Sequence, residues 1–458
     1  MNGETGMTAA ERLAQHFCNL DLARVPASQV ADAKRLVQDY LGVALGGSRT
    51  ESARIAAAFA TVTGGAAEAG LIGNGAKVPA VHAAFANAIS SHSIELDDVD
   101  VLALFHFSPP VVSAALAVAE REGSTGAEFV AAVVGGCEML ARASAATNIS
   151  LRNRGFHTTP VCGVFGAAVA AGMLLRLSPA QMVSALGLAG AQASGLMEMY
   201  GPSMQKRFNP GPAARNGVTA ALMASLGYTG AATIFEGERG FCQAFSNSVD
   251  LDALTRGLGS EFPIFIEFKP YSCARPIHNA IDCALKIRRR LAEPVSAIVR
   301  MIMRRHPDWA HYHLNPAPRT YHEAQVSLPY SVAVALIEGA ALPAQYQDAK
   351  LGNAEIRRLS HLLQVVPDAT LPRGVSCHLT VETGSGEVLT AQIDHPKGSI
   401  EVPMSVAEAA AKFHSLADPV VGEAAAAGLI ARVASLDDAP TVAGLVDMPG
   451  RGAARESA

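Results

Sequence analysis

Four short segments of this 458-residue chain combine side chains that can move protons or hold anions. The first is His92-Ser93-Ile94-Glu95-Leu96-Asp97-Asp98-Val99-Asp100, with His106 shortly after. Four carboxylates within six residues raise one another's pKa and can supply a general base or a metal site. The plainer reading is a solvated acidic loop that caps a helix. The second segment is Gly155-Phe156-His157-Thr158-Thr159-Pro160. Thr159 suits an N-cap and Pro160 a first helical position, which puts His157 beside a helix N-terminus. Free N–H groups there attract anions, and the dipole favours a neutral imidazole. A structural histidine fits the same pattern.

The third segment is Gln205-Lys206-Arg207-Phe208-Asn209-Pro210-Gly211-Pro212-Ala213-Ala214, two cations ahead of a turn and an Ala-rich helix. It reads as an anion pocket or as a basic surface turn. The fourth runs from Phe268 to Asp282 and carries Lys269, Arg275 and His278. These add positive charge where the sequence changes texture, and domain interfaces are favoured ligand sites; a polar linker is the alternative. Together the four describe cations for carboxylates, histidines for proton transfer and acidic partners. That set suits chemistry alpha to a carboxylate, where removing a proton builds a dianionic enolate that only cations make affordable.

The elements that must position these groups fall into three stretches. Residues 1–263 read as helical, with Ser28–Leu45, Val78–Ser91, Pro109–Glu122, Ala127–Ala146 and Pro160–Leu175 long and mostly Ala-rich. Ser178-Pro179-Ala180-Gln181 is a capping box with Pro at the first helical position. Small residues four apart, such as Gly166 and Ala170, predict close helix contacts. Residues 264–400 read as a smaller α+β domain. It has a helix over His278–Leu291, a strand over Val295–Arg304 and a helix over Val326–Glu338 with Pro329 in its first turn. A hairpin joins Cys377–Thr383 to Val388–Asp394 around Gly384-Ser385-Gly386. Residues 401–458 return to helix, opened by the capping box Ser405-Val406-Ala407-Glu408 and running to about His414, with a frayed end over Met448–Ala458.

Composition excludes several classes. Half the residues are hydrophobic and 17% charged, which is not a disordered chain. A net charge of -5 lacks the basic footprint of a nucleic-acid binder. Mean hydropathy is +0.22, high enough to test for membrane spans. The longest run without acid or base, Leu177–Met197, is broken by polar residues, and Thr158–Leu175 is short and Gly-rich. Both read as core helices. The N-terminus lacks a signal-peptide pattern, so the expected compartment is the cytoplasm. Seven scattered cysteines without a C-x-x-C pair read as reduced thiols, not as a disulfide framework or zinc ribbon. There is no G-x-G-x-x-G after a strand, Walker loop, H-E-x-x-H or G-x-S-x-G.

In this order the four segments resemble the MmgE/PrpD family. The likeness extends to Val37–Gly47, to Ser327-Leu328-Pro329-Tyr330-Ser331-Val332-Ala333 and to His395-Pro396-Lys397-Gly398, and so covers nearly the whole chain. It implies a mainly α fold: a large all-α domain, completed by the C-terminal helices, with an inserted α+β lid. It also implies a homodimer. Family members include 2-methylcitrate dehydratase, cis-aconitate decarboxylase and iminodisuccinate epimerase, which act on small polycarboxylates without metal or nucleotide.

The resemblance places His106, His157, Lys206 and Lys269 in a cleft between helical domain and lid. Lys206 and Lys269 would bind carboxylates, and the two histidines would transfer protons, one as base and one as acid. Glu95 or Asp97 would orient a histidine or act as base. Arg207, Arg275 and His278 are further substrate-binding candidates, and Tyr312 aligns with a cleft tyrosine. Asp98 is followed by Val99, and His106 by Phe107-Ser108-Pro109, where dehydratases and decarboxylases of the family often show D-D-T and H-P-S. The expected activity is a cofactor-independent lyase of a small di- or tricarboxylate, most simply a dehydratase. The alternatives are an epimerase or decarboxylase on the same scaffold, or a non-enzymatic carboxylate-binding protein.

Overall fold

The computed structural model describes residues 6–101, 103–199 and 202–446. Two of its helices begin where the capping boxes read from the sequence place them. Ser178 Oγ accepts the Gln181 N–H, and the Gln181 side chain returns to the Ser178 N–H at 3.0 Å. Ser405 and Glu408 close the same loop at the start of Val406–Val421. That helix outruns the expected stop at His414 because Phe413, Leu416, Ala417 and Val420 keep one face apolar at helical spacing.

Thr158–Leu174 is the axis of the large domain. All its residues but Met173 are buried, as expected of a helix apolar on every side. Around it pack Ser108–Glu122, Gly126–Thr147, Pro179–Gly190 and Pro210–Ser225. Its crossing with Gly126–Thr147 is made by small residues. A Cβ on Gly166 would lie 2.5 Å from the Gly136 carbonyl oxygen, and one on Gly136 would lie 3.0 Å from Ala170 Cβ. The C-terminal helices Val406–Val421 and Glu423–Ala434 lie on Ala27–Gly47 and add Phe413, Ala417, Val420 and Leu429 to the same core. The last expected element, Met448–Ala458, lies outside the described residues.

A second core gathers residues between Cys273 and Ile393. Its sheet runs Leu363–Pro367, Ile298–Arg305, Cys377–Thr383, Val388–Ile393. The hairpin pairs antiparallel from Cys377↔Ile393 to Glu382↔Val388. The parallel strand Leu363–Pro367 was not expected. It follows directly on the helix Ala354–Leu362, is mostly solvent-facing and ends on a proline, so it lacks the alternation that marks a half-buried strand. Helix His278–Arg288 and helix Leu328–Glu338, the latter capped by Ser327, cover this domain's core.

The chain crosses between the two cores at adjacent places. Glu267 and Val99 exchange backbone hydrogen bonds at 2.9 and 3.0 Å, and the Phe268 N–H donates to the Gly398 carbonyl at 3.0 Å. Gly398 has φ +85°, and a Cβ there would overlap the Phe268 carbonyl oxygen, so the His395–Gly398 segment is the return crossing. Among the described residues one helix, Gly126–Thr147, is long and apolar enough to cross a membrane, and 94% of its apolar window is buried inside the protein. All seven cysteines are free thiols, and six are buried.

The Gly166 crossing leaves no room for a larger side chain. Gly166→Val is expected to lower the unfolding free energy by about 2–3 kcal/mol, read as a fall in the urea midpoint at unchanged slope.

Candidate active site

A cleft with about 540 Å³ of atom-free space, part of it open to solvent, lies between the helical domain and the lid. The helical domain contributes Glu95, His106, Arg152, His157 and Lys206; the lid side contributes Lys269, Arg275, Trp309 and His313.

The acidic loop is buried, not solvated. Glu95 sits at φ +55° and its carboxylate contacts both Lys206 and Arg207, with Lys269 Nζ 3.7 Å away. Burial alone would raise its pKa, but Lys206, Arg207 and Lys269 overcome this and hold it well below the usual carboxylate range. Glu95 is therefore held as an anion among three cations. Asp98 takes the capping half of the plainer reading. Its two oxygens accept the Phe107 N–H at 2.7 Å and the Ser108 N–H at 3.1 Å, at the start of helix Ser108–Glu122.

Asp97 sits between the two halves of the site. Its Oδ2 lies 2.7 Å from His92 Nδ1 and 3.0 Å from His106 Nδ1, and its Oδ1 lies 3.7 Å from Lys269 Nζ. His106 Nδ1 is also 2.5 Å from the Asp98 carbonyl. Both neighbours are acceptors, so the hydrogen-bond network assigns the hydrogen to Nδ1 and leaves Nε2 with its lone pair. His92 packs edge-on at 4.8 Å between ring centres. Burial, against the pull of Asp97, brings its pKa down to about 4. The nearest atoms of His92, Asp97 and His106 lie within 4.8 Å of one another, a spacing able to hold a cation. Lys269 Nζ, 3.7 Å from Asp97 Oδ1, already brings a positive charge to the same carboxylate.

His157 has the opposite tautomer. Its Nδ1 faces Asn209 Nδ2 at 3.0 Å, which leaves the hydrogen on Nε2. Burial, then His92 and Lys206, keep it well below its usual pKa and so neutral. The helix here begins at Thr158 with His157 as its cap, not at Pro160 after Thr159. The Thr159 hydroxyl is engaged elsewhere, accepting the His106 N–H at 3.1 Å. Pro160 still costs nothing in the first turn, where N–H groups have no helical partner.

The Lys206-Arg207 pair is buried, 8% and 1% exposed. Burial, reinforced by Arg207 and Lys269 and opposed by Glu95, lowers Lys206 to about 8. Arg207 also reaches Gln325 Oε1 from the lid at 2.6 Å. Arg275 is paired with Glu267 at 2.7 Å. His278 contributes no charge. Burial, then Arg275 and Lys269, hold it far below its usual pKa. It lies behind the cleft wall, with its ring nitrogens on Arg275 and the Cys273 carbonyl, each at 3.2 Å. Tyr312 is 57% exposed and outside the lining. The next residue, His313, at φ +65°, lines the cleft with Trp309, and burial, then Arg305, bring it down to about 4.

Sequence reasoning missed Arg152, Trp309, His313 and Gln325. Arg152 carried a signal: it lies five residues before His157, and among the described residues it has no carboxylate partner, only Met197 Sδ at 3.7 Å. Trp309 is the only tryptophan. Gln325 had no local mark, since only the folded chain brings it to Arg207.

A helical domain, an α+β lid and a cleft between them set two imidazoles among buried cations, groups able to move protons beside groups able to hold anions. The chain belongs to the MmgE/PrpD family: its residues 11–254 match the MmgE/PrpD N-terminal domain and 271–438 the MmgE/PrpD C-terminal domain. It is thus a lyase or epimerase of that family. It is 28% identical to a cis-aconitate decarboxylase of Aspergillus terreus over 98% of this chain and 96% of that one. It is 28% identical to the cis-aconitate decarboxylase-like protein oryM of Aspergillus oryzae, over 91% and 93%. With the cis-aconitate decarboxylase of Homo sapiens it shares 25% over 93% and 92%.

Two outcomes follow for turnover. Asp97→Asn removes the charge that orients His106 and is expected to lower kcat by at least about 100-fold, with the circular dichroism spectrum unchanged. Lys206 is cationic below about 8, so kcat/KM is expected to fall as pH rises through that value. In Lys206→Arg this alkaline limb should disappear; its persistence would assign the limb to another group.

Proposed function

We propose that the protein is a cofactor-independent carboxy-lyase acting on a small, unsaturated polycarboxylate. The observation that carries this reading is the pair of opposite tautomers, His106 with a free Nε2 on Asp97 and His157 with Nε2–H, beside buried cations in one cleft. Lys206, Lys269 and Arg152 hold the carboxylate that stays. The bond to the departing carboxylate breaks, and its electron pair forms a new C=C. The old C=C pair moves to the carbon alpha to the retained carboxylate. The dianionic enolate so formed is stabilised by the cations and by the neutral His157 N–H. His106 first takes a proton from solvent on its free Nε2, as an imidazolium that Asp97 stabilises, and then delivers that proton to the enolate carbon. His157 thus has a narrower role than a proton carrier. The name shared by relatives that align along nearly the whole chain supports this reaction class. So do the apolar lining residues Val99, Leu104 and Trp309, because decarboxylation disperses a charge that water would hold in place.

A hydro-lyase is the second reading. The same pair of imidazoles offers the base and the acid that dehydration needs, and Lys206, lowered to about 8, is a further proton donor.

Proton NMR in D2O with di- and tricarboxylates separates the two. Decarboxylation is expected to release CO2 and leave one deuterium alpha to the retained carboxylate, whereas an alkene formed with all carboxylates intact would establish dehydration. His157→Ala and Lys206→Ala should each abolish turnover without unfolding the protein. Full activity in either variant would remove that residue from the mechanism.

A further inference from the structure

Among the described residues Arg142, Arg207 and Arg305 are each only 1% exposed. Arg142 pairs with Glu138 at 2.8 Å, and Arg207 contacts Glu95. Arg305 has no carboxylate partner among the described residues. One terminal nitrogen donates to the Trp309 carbonyl at 3.0 Å and the other to the Pro276 carbonyl at 2.7 Å, and its Nε–H is unpartnered. Asp368 lies beside it, its N–H donating to the Arg305 carbonyl at 2.7 Å, yet its carboxylate is taken by the exposed neighbour Arg304. Two carbonyls offset only part of the desolvation of a guanidinium, and burial brings its pKa down to about 10. The two carbonyls belong to the wall of the cleft: Trp309 and Pro276 line it, and Arg305 stands behind them. Strand Ile298–Arg305 ends here, and no helix or strand follows before Tyr321. The far part of that loop is tied down where the Leu328 N–H donates to the His313 carbonyl at 2.8 Å and Ser327 Oγ donates to the Asn315 carbonyl at 2.5 Å. Arg305 ties its near part, at Trp309, to the turn Arg275–Ile277. A guanidinium suits this because its planar fork aims separate N–H groups at two carbonyls at once.

We propose that Arg305 is a positioning residue that sets the lid-side wall of the cleft, and that a bound polyanionic substrate supplies the counter-charge its burial lacks. The second half rests on the reading of the cleft as a polycarboxylate site; the first half does not. An anion seated on Lys206, Lys269 and Arg152 lies across a single layer of residues, Trp309 and Pro276, from the guanidinium. Attraction through that layer is weakly screened. Substrate binding and a firmly placed wall therefore favour each other, and by linkage whatever loosens the wall weakens binding. Arg305 touches no reacting atom, so its loss falls on binding and not on the chemical step.

Trp309 is the only tryptophan, so its emission reports on this wall directly, in the ligand-free protein and whatever the reaction. Arg305→Met nearly keeps the side-chain length but removes the charge and both hydrogen bonds. In this variant the emission is expected to shift to the red and quenching by acrylamide to increase. KM for the polycarboxylate turned over in the D2O assay should rise at least about tenfold, as for the loss of a hydrogen bond to a charged group, with kcat within about threefold of the unmodified protein. Arg305→Lys keeps the charge but lacks the fork, and should recover part of both changes. A role in stability alone would lower the urea midpoint and leave emission, quenching and KM of the folded variant as they were. That result in Arg305→Met, or in Arg305→Lys should the methionine variant fail to fold, would overturn the proposal. So would a loosened wall with KM unchanged, or a fall in kcat as large as the fall in kcat/KM, which would put Arg305 in the chemistry itself. Dehydration or epimerisation in the D2O assay would end the carboxy-lyase reading and leave each of these expectations in place.

Discussion

The buried carboxylate of Glu95 is the interaction on which the rest of the site depends. It collects Lys206 and Arg207 from one helical turn and Lys269 from the crossing into the lid. Each of these cations would be expensive to bury alone. Gathered on one anion they become tolerable, and the segment before helix Pro210–Ser225, the acidic loop and the lid crossing are drawn to a single point. Gln325 extends the grip, holding Arg207 while donating to the Ile94 carbonyl at 2.9 Å. The cleft is therefore an electrostatic junction between two separately packed cores.

Asp97 does for the imidazoles what Glu95 does for the cations. Its single oxygen Oδ2 serves His92 and His106, and the second hydrogen-bond acceptor for His106, the Asp98 carbonyl, comes from the next residue. Asp98 in turn caps the helix that follows. Behind the loop, Lys412 from the C-terminal helix reaches the Leu96 carbonyl at 2.8 Å and Asp39 at 2.6 Å. The C-terminal helices thus support the acidic loop directly, although they are more than three hundred residues away in sequence. Burial lowers the pKa of His92, whereas His106, His92 and Lys269 hold Asp97 ionised against the effect of burial. In water the same residues would titrate near their ordinary values.

Much of the architecture was legible in the chain. Capping boxes at Ser178 and Ser405, the hairpin around Gly384–Gly386 and the Gly166/Ala170 contact are local signals, and each is realised. They are legible because caps, turns and small-residue contacts act over a few residues. The strand Leu363–Pro367 was hidden because an exposed edge needs no alternation. The site divides the same way. The residue types in the four segments pointed to carboxylate chemistry, yet Tyr312 and His278 fall outside the cleft lining while Arg152, Trp309 and His313 fall within it.

The sequence by itself determined the class of chemistry and the order of the elements, since cations, imidazoles and carboxylates are written in its composition and caps and periodicity in its local pattern. Only the tertiary structure decided which charges cancel, which imidazole nitrogen carries the hydrogen and which side chains face the substrate. Those properties arise from desolvation and from distances of a few ångströms between segments far apart in the chain, and Coulomb energy in a buried site changes steeply with both.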